Sequence, residues 1–288
     1  MPVNVKNLIA ETFVKLSDEK NIDKITVKDI VEACGISRQA FYYHFQDIYD
    51  LLENEQRWQG VLRHWQTLLD GKDITTLLDV SVGTGNLTLP LCELGVRLTG
   101  SDLNPAMLTR CREKAAARGF SPELAVCDFR SLDAVFEGRQ FDCVASTGNS
   151  LAYVENAEIP DVLRQMDALL RPGGWLYIDL RNWDKIVRHR ERFYFYDPVL
   201  LPDGVQMHLV QVWDHLPGGD IDFNLIYTFD REGRNVQHEV FTEHYHPLPR
   251  ALLLDTLCGL GYTRPQLLPF PAQRKNAPPA EELDWSCI

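Results

Sequence analysis

Along the first fifty residues the pattern of apolar positions has helical spacing. Leu8, Ile9, Thr12, Phe13 and Leu16 form one stripe, Ile30, Val31 and Cys34 a second, and no alternating run interrupts them. Trp58, Leu62, Trp65 and Leu69 continue the helical spacing and predict one or two helices over Asp47–Leu69. After Asp70 the pattern changes to short runs rich in β-branched residues and leucine: Thr75–Val80, Arg97–Gly100, Leu124–Cys127, Phe141–Ala145 and Trp175–Asp179. Helical segments separate them, and strands alternating with helices predict a parallel, doubly wound sheet. Beyond Asp197, the runs His208–Trp213, Asp222–Phe229 and Asn235–His246 are joined by Pro217-Gly218-Gly219-Asp220 and Arg231-Glu232-Gly233. These turn signals predict an antiparallel meander added to the sheet.

The expected division is therefore a small all-α segment over 1–53, a helical linker over 54–72, an α/β domain over 73–272 and a tail over 273–288. Gln273–Glu282 is proline- and charge-rich and reads as loop, and there is no internal repeat. A chain of 288 residues, 45% hydrophobic and 24% charged, can bury a full core, which excludes general disorder. Its 29 basic and 41 acidic residues give −12, so any attraction to nucleic acid has to come from a local patch. Seven scattered cysteines, none in a CxxC pair, read as reduced thiols. With no stretch near 18 apolar residues and no signal-peptide pattern at the amino end, the expectation is a cytoplasmic protein without a membrane partner.

Thr26 precedes Val27-Lys28-Asp29 in a capping-box arrangement that starts a helix running to about Cys34. Gly35-Ile36 supplies a turn, and Ser37 caps a second short helix over Arg38–Phe45, the helix-turn-helix layout. The stretch from Ile25 to Phe45, ITVKDIVEACGISRQAFYYHF, resembles the TetR-type DNA-binding domain. That resemblance implies a second helix in the major groove of double-stranded DNA, with Arg38, Gln39, Tyr42, Tyr43 and His44 near DNA and Thr26 and Lys28 near phosphates. The family's ligand-binding helical domain is absent after about Glu53, so a homodimer would have to be held elsewhere in the chain. The segment departs from the type in charge, with 6 Lys or Arg against 9 Asp or Glu over residues 1–53, and Gln46-Asp47 stands where a basic residue is usual. The alternative is a helical cap with Phe41, Tyr42 and Phe45 as its core.

Leu77-Leu78-Asp79-Val80-Ser81-Val82-Gly83-Thr84-Gly85 is an apolar strand ending in a glycine turn that opens a helix. Glycine permits the sharp turn and the close approach of a ligand to the backbone. The next strand ends at Asp102, about 20 residues on, where a carboxylate can accept both hydroxyl protons of a ribose. The third glycine of a dinucleotide site is missing, which excludes a nicotinamide cofactor. The turn, together with Asp102-Leu103-Asn104-Pro105-Ala106-Met107, resembles class I S-adenosylmethionine-dependent methyltransferases. The resemblance implies a Rossmann-like seven-stranded sheet with added antiparallel strands and S-adenosylmethionine as cofactor. It assigns cofactor contacts to Asp79, Ser81, Gly83, Gly85, Asp102, Leu103, Met107, Asp128, Phe129 and Ser146. Asp128 would meet the adenine amino group and Phe129 the ring, although Phe129 alone is also an ordinary core residue.

Phe141–Ser146 runs into Thr147-Gly148-Asn149-Ser150, and later Ile178-Asp179-Leu180-Arg181-Asn182-Trp183-Asp184 and Glu243-His244-Tyr245-His246-Pro247 follow. These segments resemble glycine N-methyltransferase and its glycine/sarcosine relatives. The resemblance implies a small amine or amino acid as methyl acceptor, held by Asn149 and Arg181. A guanidinium clamps a carboxylate, and the asparagine carbonyl is expected to orient the amine lone pair. Tyr194, Tyr196 and Tyr245 are candidate walls around the methyl, although each also fits an ordinary strand, and Arg181 has a second reading as an ion pair with Asp184. His238, His244 and His246 share one face of a strand but lack a cysteine pair or fixed-spacing carboxylate motif, so no metal is expected. The residues thus support a small-molecule N-methyltransferase fused to a DNA-binding module. The alternative is a TetR-type regulator whose methyltransferase-like domain senses S-adenosylmethionine or a metabolite.

Overall fold

The computed structural model describes residue 33, residues 55–200, 204–269, 279–283 and 285–287. Thr26, Lys28, Arg38, Gln39, Tyr42, Tyr43 and His44, and with them the expected helix-turn-helix, lie outside the described residues. Two units share the chain. The larger holds Asn54–Tyr196, Leu209–Tyr227 and Glu239–Ile288, and the smaller includes Asp197–His208 and Thr228–His238. Every residue of the candidate site belongs to the larger unit.

The helices are α1 (Glu55–Leu69), α2 (Pro105–Ala117), α3 (Asp133–Phe136), α4 (Ile159–Ala168), α5 (Trp183–His189) and α6 (Arg250–Gly259). The strands are β1 (Thr76–Asp79), β2 (Arg97–Asp102), β3 (Glu123–Val126), β4 (Phe141–Ser146), β5 (Leu170–Arg181), β6 (Phe193–Phe195), β7 (Val199–Leu200), β8 (Gln206–His215), β9 (Ile221–Arg231), β10 (Arg234–Tyr245), β11 (Leu268–Pro269) and β12 (Trp285–Cys287). Seven of them form one sheet in the order β11-β12-β5-β4-β1-β2-β3. Strands β3, β2, β1, β4 and β5 are parallel, and β12 runs antiparallel to β5. A second sheet has the order β10-β9-β8-β6, with β7 against β8.

Side-chain alternation divides the core between the two faces of the parallel sheet. Leu78, Val144, Ile178 and Leu180 pack with α4 and α6 residues such as Leu163 and Leu253. Leu77, Cys143, Ala145 and Tyr177 pack with Trp58 and Trp65 of α1 and Leu108 and Cys111 of α2. A parallel sheet needs cover on both faces, which is why its strands are near-continuous apolar runs. The helix that the glycine turn was expected to open is instead a 3-10 segment, Leu89–Leu94, with Pro90 in its first turn. The carboxyl end is not wholly a tail: Trp285 lies opposite Arg181 and Ser286 opposite Leu180. Three residues are too few to show a strand period in the sequence, and pairing with β5 decides their conformation.

Candidate active site

The carboxyl ends of β1, β2, β4 and β5 converge, the place where an open α/β sheet leaves a crevice. At β1 the Asp79 carboxylate is fully buried and accepts from the Ser81 amide (3.1 Å), the Thr88 hydroxyl (2.9 Å) and the Thr147 hydroxyl (2.8 Å). Burial pushes its carboxyl up to about 6. Asp79 therefore knits β1 to the β4 turn from inside. The Ser81 hydroxyl does the same from outside, donating to the Thr147 carbonyl (3.1 Å), accepting from the Thr147 amide (3.0 Å) and lying 3.3 Å from the hydroxyl of buried Ser146.

The glycine turn has positive φ at Gly83 (53°) and Gly85 (84°). A Cβ on Gly85 would sit 2.6 Å from Leu89 Cγ, whereas one on Gly83 would meet nothing within 4 Å. Gly85 is thus required by packing, and Gly83 keeps one side of the turn open to a ligand. Asp102, at the end of β2, accepts from the Gly83 amide (3.0 Å) and the Asn104 amide (2.8 Å), and its carboxyl is raised by burial. Lys114 of α2 donates to Thr84 Oγ1 (3.0 Å) and Asn86 Oδ1, fastening the turn from the helix side. An open glycine face with a carboxylate at the neighbouring strand end suits an adenosyl ligand.

The other cofactor candidates are spread more widely. Leu103 is 65% exposed just beyond Asp102, and Met107 lies half-buried in the first turn of α2. Asp128 is engaged by the Arg130 guanidinium (2.7 Å), whose hydrogen bonds hold its carboxyl below the usual range. Phe129 packs against the core on the α4 side of the sheet.

The residues expected to hold an acceptor are built on the turn after β4. Asn149 adopts a left-handed backbone conformation (φ 66°), and the amides of Gly148 (2.8 Å) and Asn149 (3.3 Å) donate to Asp179 Oδ1 on β5. Asp179 is buried, which raises its carboxyl to about 7. The Asn149 carbonyl was expected to orient an amine. Its Oδ1 is instead occupied by the Arg181 amide (3.1 Å) and Trp183 Nε1 (3.0 Å), both obligate donors that fix the amide's orientation. Its Nδ2, a donor, is buried and faces the Tyr245 hydroxyl.

Arg181 is 7% exposed. Its guanidinium lies 5.1 Å from the Tyr194 ring, 5.1 Å from Trp213 and 4.8 Å from Trp285, and donates to Gln211 Oε1 at 3.2 Å. Gln211 in turn donates to the Tyr196 hydroxyl (3.1 Å) and accepts from Trp213 Nε1 (3.2 Å). Among the described residues no carboxylate pairs with Arg181, so the ion pair with Asp184 is not formed. A buried cation among rings and one neutral amide is the complement of an anion.

Tyr245 closes the floor, stacked on Phe223 with 4.3 Å between ring centroids, packed edge-on against Trp183 and with its hydroxyl 3.3 Å from that of Tyr153. Burial raises its phenol further, which keeps it neutral. Helix α1 docks on the other side: Trp65 Nε1 donates to the Leu87 carbonyl beyond the glycine turn (2.6 Å). Its neighbour His64 lies 3.0 Å from the Tyr177 hydroxyl and is pushed down to about 4 by burial.

The structure thus brings Asp79, Ser81, Ser146, Asn149 and Arg181 together and joins Tyr194, Tyr196 and Tyr245 to them. Asp179, Gln211, Trp213 and Trp285 were missed. Gln211 carried a usable signal, since it has the inward parity of Met207, Leu209 and Trp213 on β8, and so did Asp179 within an apolar run.

Known proteins agree with this architecture. Residues 77–174 match the model described as "Methyltransferase domain", and residues 10–54 match "Bacterial regulatory proteins, tetR family". A glycine/sarcosine N-methyltransferase of Halorhodospira halochloris is 29% identical over 160 residues, 54% of this chain and 58% of that protein. The chain thus spans little more than half the length of this relative. Of solved structures, an S-adenosylmethionine-dependent methyltransferase from Clostridium acetobutylicum superposes with a TM-score of 0.64 at 15% identity, covering 87% of this chain and 97% of that one. An amino pentose methyltransferase from Micromonospora echinaspora, solved with S-adenosylmethionine bound, gives 0.63 at 17%, covering 84% and 94%. At these identities the likeness is one of fold. Among the described residues no helix is long and apolar enough to cross a membrane.

Proposed function

We propose that this protein is an S-adenosylmethionine-dependent methyltransferase that methylates the nitrogen of a small carboxylated amine, such as an amino acid, in the cytoplasm. The observation that carries the reading is the buried Arg181 guanidinium without a carboxylate, with the buried Asn149 Nδ2 as a second donor, at the strand ends next to the glycine turn. Both groups are donors, and both suit the two oxygens of a carboxylate.

The cofactor, when bound, supplies an electrophilic methyl on a sulfonium centre. Gly83 and Gly85 shape the turn that receives it, Asp102 holds the ribose hydroxyls, and Asp128, Phe129, Leu103 and Met107 border the adenosyl group. Arg181 and Asn149 anchor the carboxylate, so the amine is held by its far end and its nitrogen is aimed at the methyl. Tyr194, Tyr196 and Tyr245 exclude water around the amine. No side chain has to act as nucleophile, and orientation with water exclusion lowers the barrier.

The match over residues 10–54 supports a second element of the reading, contact with double-stranded DNA; on this reading Thr26, Lys28, Arg38, Gln39, Tyr42, Tyr43 and His44 make it, in a homodimer. On that reading cofactor or substrate occupancy biases DNA affinity. The test is release of S-adenosylhomocysteine with glycine and sarcosine, against methylamine and ethanolamine as amines without a carboxylate. Turnover confined to the carboxylated acceptors is expected. Absence of cofactor binding in calorimetry overturns the methyltransferase reading, and binding without turnover on any amine moves the protein to the sensor class.

A further inference from the structure

A second constellation lies where the start of β9 meets the end of β10, on the face opposite Tyr245. Asp220 closes the β8–β9 turn, where its carbonyl accepts from the Leu216 amide at 2.8 Å. Across the strand pair Asp220 meets His246, Asp222 meets His244 and Asn224 meets Thr242, the order of an antiparallel ladder. Asp220 Oδ1 is 3.0 Å from His246 Nδ1, and Asp220 Oδ2 is 3.4 Å from His244 Nε2. One ligand atom each from Asp220, His244 and His246 all lie within 4.8 Å of one another.

We propose that Asp220, His244 and His246 bind a divalent first-row transition metal ion such as Zn2+, with Asp222 as the carboxylate that orients His244. Donor atoms about 2.1 Å from a tetrahedral ion are separated by about 3.4 Å, close to the two Asp220–histidine spacings of 3.0 and 3.4 Å, so binding an ion would draw the two histidine nitrogens, within 4.8 Å of each other, together. Asp222 Oδ1 stands 2.7 Å from His244 Nδ1, placed to accept its N–H when a metal ion takes Nε2. A ligating imidazole ordinarily has such a carboxylate behind it. Among the described residues no lysine or arginine pairs with Asp220 or Asp222, so the two carboxylates meet only imidazoles and suit a dication. The donor set, two nitrogens and an oxygen with solvent access at exposed His244, matches zinc and its neighbours in the series better than calcium or magnesium.

The ion would tie the β8–β9 turn to the end of β10. Tyr245, between the two histidines, points to the opposite face and packs on Phe223 and Trp183, and the His246 amide donates to the Ala152 carbonyl at 2.8 Å. A cation here therefore braces the strand that carries Tyr245.

The experiment uses the full chain stripped with a chelator. Co2+ is followed by its visible absorption, and Zn2+ by competition with a chromophoric chelator and by thermal unfolding. The expected result is saturation with one equivalent sensitive to these side chains and a rise in the unfolding temperature with Zn2+. Binding and the rise should both vanish in His244→Ala/His246→Ala, and affinity should fall about 10- to 100-fold in Asp222→Asn, whose side chain has the same shape. Urea unfolding of the metal-free variants checks that they are folded. Binding that survives the double substitution with unchanged affinity, or a parent protein that takes up neither ion saturably, overturns the proposal.

Discussion

Replacing Arg181 by methionine separates a substrate anchor from a structural residue, because the two roles predict opposite balances of stability and activity. Methionine keeps the length of the stem and removes the charge. The three rings around the guanidinium each lose an attraction of about 0.5 to 2 kcal/mol. Against this, the variant no longer keeps an ion away from water without a counter-ion, a penalty of several kcal/mol. Gln211 Oε1 retains the Trp213 Nε1 donor, so no buried acceptor is orphaned. The terms oppose each other, and the expected change in urea unfolding is within about 2 kcal/mol of zero. Activity behaves differently. Truncating one partner of a buried carboxylate–guanidinium pair costs about 2 to 5 kcal/mol, so kcat/KM for a carboxylated acceptor should fall roughly 30- to 5,000-fold. The value for an amine without a carboxylate should not fall. S-adenosylhomocysteine release with both acceptors gives the specificity ratio, and circular dichroism establishes that the variant is folded. A folded variant with the parent's ratio refutes the anchoring role, and a loss of stability beyond about 4 kcal/mol would show that Arg181 holds the fold instead.

Three further outcomes follow from the same geometry. Because the folded-state carboxyl of Asp179, at about 7, lies above its unfolded value, its stability contribution is intact below about pH 4 and is lost as pH rises through 7, a penalty of about 4 kcal/mol. Asp179→Asn keeps an oxygen for the Gly148 and Asn149 amides and removes the ionisation, so its advantage in urea unfolding over the parent should grow from pH 4 to pH 8; parallel pH profiles would count against it. Gly85→Ala should cost about 2 to 4 kcal/mol, from a left-handed backbone and the overlap with Leu89 and Cys111, whereas Gly83→Ala should cost only about 1 kcal/mol yet weaken cofactor binding in calorimetry. Equal stability losses at the two glycines would contradict the open-face assignment. Ser81→Ala strands the amide of buried Thr147 and should lower stability by about 1 to 3 kcal/mol, read from the urea midpoint.

Features carried by neighbouring residues were legible in the sequence. Leu77–Asp102 contains its own strand, turn, second strand and acid, so spacing and glycine placement were enough to read the turn, and apolar runs alternating with helical stripes gave the doubly wound sheet. Groups whose roles depend on distant partners were not legible. Asn149 has an amide that either end could present, and only the Arg181 amide and Trp183 Nε1 decide that its carbonyl is used up and its amino group faces Tyr245. The choice between an anion anchor and an ion pair at Arg181 rested on whether Asp184 turns toward it, which a spacing of three cannot reveal. Trp285–Cys287 is a strand only because β5 offers an unpaired edge.

By itself, then, the sequence determined the period of the longer described segments, the glycine turn and the residue types at the strand ends, because those depend on backbone preferences and local spacing. The tertiary structure decided which polar groups satisfy one another and which are left over. Hydrogen bonding and burial are properties of residues far apart in the chain: β8 supplies the amide that meets Arg181, and the start of β9 with the turn before it supplies the carboxylates that face the histidines at the end of β10.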